Sequence, residues 1–211
     1  RFRIQPPNIM KIAIIGFGFV GKALFNGLIE GIEILKIDPK LNTSIDDLSK
    51  FNPEVIFICL PTPMNNNGSQ DISIVKETLE EITRFDIKCL IVLKSTVQPN
   101  NMLEIQKILP ELIYNPEFLR EKHADEDFIN SKLIIFGGDE VYTKELADIY
   151  SKYTKCKNDN YIHTDVLAAS LLKYTINSFL ATKVIFFNEL SILFNLSGTE
   201  ESWENFTNYL S

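Results

Sequence analysis

The stretch IAIIGFGFVGKAL, residues 12–24, decides how the rest of the chain is read. Lys11–Ile15 is a short apolar run suited to a buried strand, and the text turns helical from about Val20 to Glu30. Between them Gly16, Gly18 and Gly21 spell G-x-G-x-x-G. In a strand–turn–helix setting the first glycine permits the tight turn and the second lets a pyrophosphate approach the backbone. The third lets helix pack on strand. The helix N-terminus adds free N–H groups and the positive end of its dipole. The spacing alone is a weak signal, and a glycine-rich turn without a ligand is the competing reading. Asp38 tips the balance: it closes a second strand, Glu33–Ile37, 22 positions after Gly16. A carboxylate there holds the adenine ribose hydroxyls and repels a 2′-phosphate, so the pattern favours NAD over NADP.

Outward from this unit, apolar β-rich runs alternate with amphipathic helical ones. EVIFICL (54–60), KCLIVLKST (88–96), ELIYN (111–115) and KLIIFGG (132–138) read as strands, with NYIHT (160–164) a weaker one. EVIFICL is apolar throughout, as a strand covered on both faces should be. Asp71–Arg84 reads as a helix with Ile72, Val75, Leu79 and Ile82 on one stripe, and Pro99 opens another. This alternation predicts an α/β fold: a Rossmann-like, doubly wound parallel sheet over residues 10–163. From Thr164 or Asp165 to Gly198 runs a segment of roughly thirty residues without Gly or Pro, well past the usual dozen of a helix. It predicts a long central helix over 164–198, apolar nearly all round and therefore buried on several sides. Residues 199–211 read as the start of a further helical domain, cut short. Met10 before a clean strand suggests the native start, with residues 1–9 a leader foreign to the fold.

Composition narrows the class. The 211 residues carry 21 basic and 28 acidic side chains, a net charge of −7, which argues against nucleic acid as a partner. The hydrophobic share of 45%, including fifteen Phe, suffices for a sizeable core. Cys59, Cys89 and Cys156 are widely spaced, with no C-x-x-C, and read as free thiols of a cytoplasmic protein without a metal site. No run reads as a signal peptide or a membrane span, so no membrane partner is expected.

Three further segments carry chemistry. Pro61 and Thr62 in LPTP, and Ser95 and Thr96 in KSTV, follow the third and fourth strands, where hydroxyls reach a ligand in a doubly wound sheet. Simple turn capping explains them equally well. YNPEFLRE (114–121) sets Glu117 and Glu121 four residues apart around Phe118, Leu119 and Arg120. Lys173 and Asn177 are i and i+4 on the long helix, so they share a face of an otherwise apolar element. A buried ammonium needs an acidic partner or an anionic ligand, and it can stabilise an oxyanion as hydride departs. A snorkelling Lys at a helix edge is the plain alternative.

GFGFVG, PTP, STV, NPEFLRE with ADEDF (124–128), and a helix reading K-x-x-x-N…F-x-N-E occur in this order. From Met10 to about Leu196 the chain resembles the UDP-glucose/GDP-mannose dehydrogenases. The resemblance implies that Gly16, Phe17, Gly18, Phe19, Val20 and Gly21 line the NAD pyrophosphate, Asp38 the adenosine ribose, and Pro61, Thr62, Ser95, Thr96 and Glu121 the nicotinamide half. It implies a substrate loop of Glu117, Phe118, Leu119, Arg120 and Glu121, with Glu121 near the reacting carbon. It implies too that Lys173 and Asn177 help hold the oxygen on which charge develops. Lys173, Asn177, Glu121, Glu117 and Thr96 are the expected catalytic set.

The same resemblance implies oxidation of a nucleotide-sugar C6 alcohol to the acid by two hydride transfers, in nucleotide-sugar metabolism feeding polysaccharide biosynthesis. A homodimer through the central helix is implied as well. The family's nucleophilic Cys segment, G-F-G-G-x-C, and its C-terminal UDP-binding domain do not occur in this sequence. The chain is therefore expected to be the cofactor-binding part of a longer enzyme. Where the family places Glu three residues before the helix Lys, this chain has Ser170. Two alternatives stay open: a non-catalytic NAD-binding module, and a related hydroxyacid dehydrogenase, which NPEFLRE disfavours.

Overall fold

The computed structural model describes residues 9–85 and 87–210. All but the last residue of the presumed leader, 1–9, lie outside the described residues. Among the described residues seven strands form one sheet: β1 (Lys11–Ile15), β2 (Glu33–Ile37), β3 (Val55–Ile58), β4 (Leu90–Leu93), β5 (Ile113–Tyr114), β6 (Ile134–Gly137) and β7 (Tyr161–Thr164). Their spatial order is β2-β1-β3-β4-β5-β6-β7. The helices are α1 (Phe19–Gly27), α2 (Asp47–Phe51), α3 (Ser73–Ile82), α4 (Pro99–Ile108), α5 (Ala124–Ile129), α6 (Glu140–Tyr153), α7 (Val166–Leu196) and α8 (Trp203–Asn208).

The chain divides after Lys173 into two compact units. In the first, alternate residues of each strand feed two cores. Ala13, Ile15, Ile56, Ile58 and Leu93 pack with Val75 and Leu79 of α3 and Met102 and Ile105 of α4. Ile12, Ile14, Val55, Phe57 and Val92 pack with Ala23 and Leu24 of α1 and Leu146 and Tyr150 of α6. Both faces of β3 are thus covered, which is why its four residues are all apolar and all buried. Fully burying one such Leu or Ile contributes about 1.5–3 kcal/mol.

Several expectations need correction. The sheet is mostly parallel: β5 and β6 pair antiparallel, Tyr114 opposite Gly137. The connection through α5 re-enters the sheet from the edge at which β5 ends, without the long crossover that a parallel pair needs. Strand β5 is only two residues long, because Pro116 has no N–H to continue the ladder. Helix α1 stops at Gly27, short of Glu30. There Leu28 leaves the helix to bridge Thr154, and Ile29 N–H donates to Tyr153 O at 3.0 Å.

The second unit, described by itself, holds the rest of α7 from Tyr174 together with α8. Phe194, Trp203 and Phe206 form an aromatic cluster there, with centroids 5.0–5.9 Å apart. Burial of the long helix on several sides is not what is found. Phe179, Leu180, Val184, Ile185, Phe186, Ile192, Leu193 and Leu196 are all exposed. By length and composition alone α7 could also cross a membrane, which overturns the expectation that no segment could.

Candidate functional site

A pocket of about 610 Å³ opens at the carboxyl edge of the parallel strands. Gly16 and Gly18 follow β1, Asp38 follows β2, Cys59 to Thr62 follow β3, and Lys94 to Thr96 follow β4. Glu117 and Leu119 follow β5, and Lys173 reaches in from α7. Where strand order reverses between β1 and β3, a doubly wound sheet leaves such a crevice.

The three glycines act differently. Gly16 has φ +88°, and a Cβ on it would stand 2.6 Å from Cys59 O. On Gly21 a Cβ would stand 2.2 Å from Gly16 O, so only glycine lets α1 approach the turn. Around Gly18 a Cβ would meet no atom within 4 Å, and this bare backbone faces the pocket. As N-cap of α1, Gly18 offers no side-chain acceptor to the first-turn N–H groups. The cradle therefore fits a dinucleotide pyrophosphate.

Asp38 Oδ2 accepts the Phe17 N–H at 2.8 Å and Oδ1 accepts the Lys40 N–H at 2.9 Å. These bonds, the one from Phe17 foremost, hold its carboxyl below the usual carboxylate value. An ionised carboxylate retains lone pairs for ribose hydroxyls. Phe17 does not line the pocket; its ring packs edge-on against Phe25, with the Lys36 ammonium 4.9 Å from its centroid. The loops after β3 and β4 are tied together: Thr62 Oγ1 donates to Thr96 O at 2.7 Å, and Gln70 Nε2 donates to the same carbonyl at 2.8 Å.

At the other end of the pocket Lys173 is buried. It donates to the backbone carbonyl of Glu117, and its Nζ lies 4.7 Å from the Phe118 ring centroid. Burial lowers its pKa to about 8. Ser170, also buried, donates to Val97 O at 2.6 Å and anchors α7 to the end of β4. Asn177, one turn on along α7, is exposed and falls in the second unit.

The segment after β5 divides its residues. Glu117 and Leu119 line the pocket, whereas Phe118 packs on the core. Arg120 and Glu121 do not line it. Arg120 is exposed and grips Asp127, seven residues on in α5, through Nε at 3.0 Å and Nη2 at 2.7 Å. Glu121 stands exposed at the start of a 3₁₀ turn, Glu121–His123.

Lys94, Cys59, Leu60, Pro39, Lys40 and Ile74 also line the pocket and were not singled out from sequence. Lys94 carried a usable signal: a charge ending the apolar run LIVL must find a partner. Burial pushes the Cys59 thiol up to about 12 and Cys89 to about 11, and raises Cys156. Each is therefore a neutral thiol near pH 7, unsuited to nucleophilic attack. Among the described residues no group of three or more His, Cys, Asp or Glu could hold a metal ion.

Known proteins resemble this chain in sequence and fold. The profile of the UDP-glucose/GDP-mannose dehydrogenase family, NAD binding domain, matches residues 26–154. The UDP-glucose 6-dehydrogenase of Rickettsia bellii is 40% identical over 159 residues, which cover 71% of this chain and 36% of that protein. The Rickettsia conorii enzyme of the same name is 33% identical, over 87% of this chain and 51% of its own length. The chain thus spans about half or less of these curated relatives. A GDP-mannose dehydrogenase structure from Pseudomonas aeruginosa superposes with a TM-score of 0.70 at 25% identity, over 85% of this chain and 52% of that one. The UDP-glucose dehydrogenase of Pyrobaculum islandicum gives 0.69 at 25%, over 90% and 55%. The chain belongs to the UDP-glucose/GDP-mannose dehydrogenase family, and the matched region is that family's NAD-binding domain.

Proposed function

We propose that this chain forms the cofactor-binding half of a nucleotide-sugar 6-dehydrogenase of the UDP-glucose type. The supporting observation is convergence: Glu117 and Lys173 line the same pocket as the glycine cradle and Asp38. Bound NAD would accept the hydride, with its electron pair, from the sugar C6. Asp38 orients the adenosine, and the cradle's N–H groups hold the pyrophosphate. Lys173 stabilises the oxygen from which charge must be drawn, and Glu117 orients a hydroxyl or water and takes up a proton. Conversion of the alcohol to the acid requires two hydride transfers and one water. The thiol that carries the intermediate in the family is not supplied by Cys59, Cys89 or Cys156. In this reading Asn177, Glu121, Arg120 and Phe118 contribute to the substrate side only after rearrangement or from a neighbouring chain.

The exposed apolar stretch of α7 supports a homodimer built on that helix, and three free cysteines support a reducing, cytoplasmic setting. The uronic acid product would serve polysaccharide biosynthesis. Thermal melting with each coenzyme tests the cofactor half: NAD is expected to raise Tm and NADP to raise it less. Equal shifts would remove the role given to Asp38, and no shift from either would remove the reading.

A further inference from the structure

Lys94 ends a strand of the central sheet with its side chain 1% exposed. An ammonium at that depth costs several kcal/mol unless it is paired and hydrogen-bonded, so its partners explain its presence. They come from two separate stretches of chain, the segment after β5 and α6. Nζ donates to Asn115 Oδ1 at 2.7 Å and to Tyr150 OH at 2.9 Å, and it pairs with the Glu117 carboxylate. Asn115 receives Lys94 on its amide oxygen, and that orientation is fixed by its amide nitrogen donating to Ile135 O at 3.0 Å. The Tyr150 hydroxyl in turn donates to Asn115 Oδ1, closing a triangle behind the ammonium.

The titratable groups facing Lys94 are Glu117, Tyr150, Cys59 and Cys156. Burial raises the phenol and both thiols, so of these groups the Glu117 carboxyl is the one that Lys94 meets as an ion pair. Lys173 meets Glu117 only at its backbone carbonyl.

We propose that Lys94, clamped by Asn115 and Tyr150, is a positioning residue that fixes the Glu117 carboxylate at the floor of the pocket and holds it ionised. The pair leaves the second carboxylate oxygen, Oε2, for a sugar hydroxyl or a water. The functional meaning of this rests on the dehydrogenase reading; the pairing itself does not. Burial lowers Lys94 to about 8, so the counter-charge is present at neutral pH and fades above it.

The test reads both groups in the chain without any ligand, so a failure to bind NAD would leave its result standing. Glutamate labelled with carbon-13 at Cδ is followed by NMR across pH, with Glu117 assigned through Glu117→Gln. In Lys94→Met the Glu117 midpoint should rise by about one to three pH units, and Lys94→Arg should restore most of the original value. A Lys94 that only filled space would leave the midpoint unmoved in Lys94→Met, and that result overturns the proposal. If Lys94→Met does not fold, the Lys94 amine is titrated in Glu117→Gln by nitrogen-15 NMR. Its midpoint should fall by about one unit or more; an unmoved value there equally overturns the proposal.

Discussion

Asp38 Oδ2 accepts the backbone N–H of Phe17 at 2.8 Å, so the acid that ends β2 also braces the glycine loop that follows β1. One carboxylate therefore shapes the loop and, in the proposed reading, also selects the cofactor. Asp38→Asn keeps the size but turns an amide toward an N–H donor. The Tm shifts given by NAD and NADP should converge, mainly through a smaller NAD shift. The carboxyl is depressed in the folded state, so its stabilisation is complete above its unfolded value near pH 4. It fades as pH falls through the lower folded value, and urea midpoints for Asp38→Asn should lack that acid-side component.

The glycines separate stability from binding. Gly21→Ala drives a methyl into Gly16 O and should cost about 1–3 kcal/mol of unfolding free energy. Gly18→Ala meets open space at φ −73°, so the chain should melt close to wild type. Its methyl nevertheless stands where a pyrophosphate would approach, so calorimetry should show NAD affinity falling at least about tenfold, or about 1.4 kcal/mol.

Lys173 predicts an alkaline gain. Its folded pKa, about 8, lies below the unfolded value near 10.4. Between these two values the unfolded chain binds more protons, so stability rises with pH across that window. Below pH 8 both states are charged and the burial penalty is present in full. Lys173→Met should raise the urea midpoint at pH 7 and flatten its rise from pH 8 to 10. An unchanged slope would contradict the buried placement of this amine.

Arg120 and Asp127 tie down the segment that follows Glu117. The guanidinium hydrogen bond and the Arg120 N–H hold Asp127 at about 2. Because that value is depressed, the contribution is full above about pH 4 and disappears toward pH 2. Asp127→Asn should remove this acid-limb loss. It should also speed amide exchange across residues 117–123, read by hydrogen-exchange mass spectrometry.

The helix beyond Lys173 gives a prediction about assembly. Ile185 and Phe186 are about 60% exposed, and light scattering should report the mass of two chains. Ile185→Asp should return the mass of one.

Most of the sheet could be read directly from the sequence, because buried strands such as VIFI and LIVL have no polar face to confuse the pattern. The glycine loop was legible from its spacing: Gly21 is demanded by Gly16 O within the motif, although Gly16 itself is demanded by Cys59 O after a neighbouring strand. What escaped were relations set by tertiary packing. Nothing near Arg120 announces that it will turn to Asp127 instead of a ligand. The antiparallel turn into β6 depends on where α5 docks. Lys94 sits beside a hydroxyl-rich turn that drew attention to Ser95 and Thr96, while its partners Asn115 and Tyr150 lie 21 and 56 residues away. Solvent exposure of α7 follows from what surrounds it, which its own periodicity does not encode.

The wet apolar side of α7 has a further effect, on handling. If two chains pair through it, as proposed, mass action makes the chain's resistance to heat climb with its own concentration. Dilute and concentrated samples of one preparation would then melt at different temperatures, and comparisons between variants require matched protein amounts.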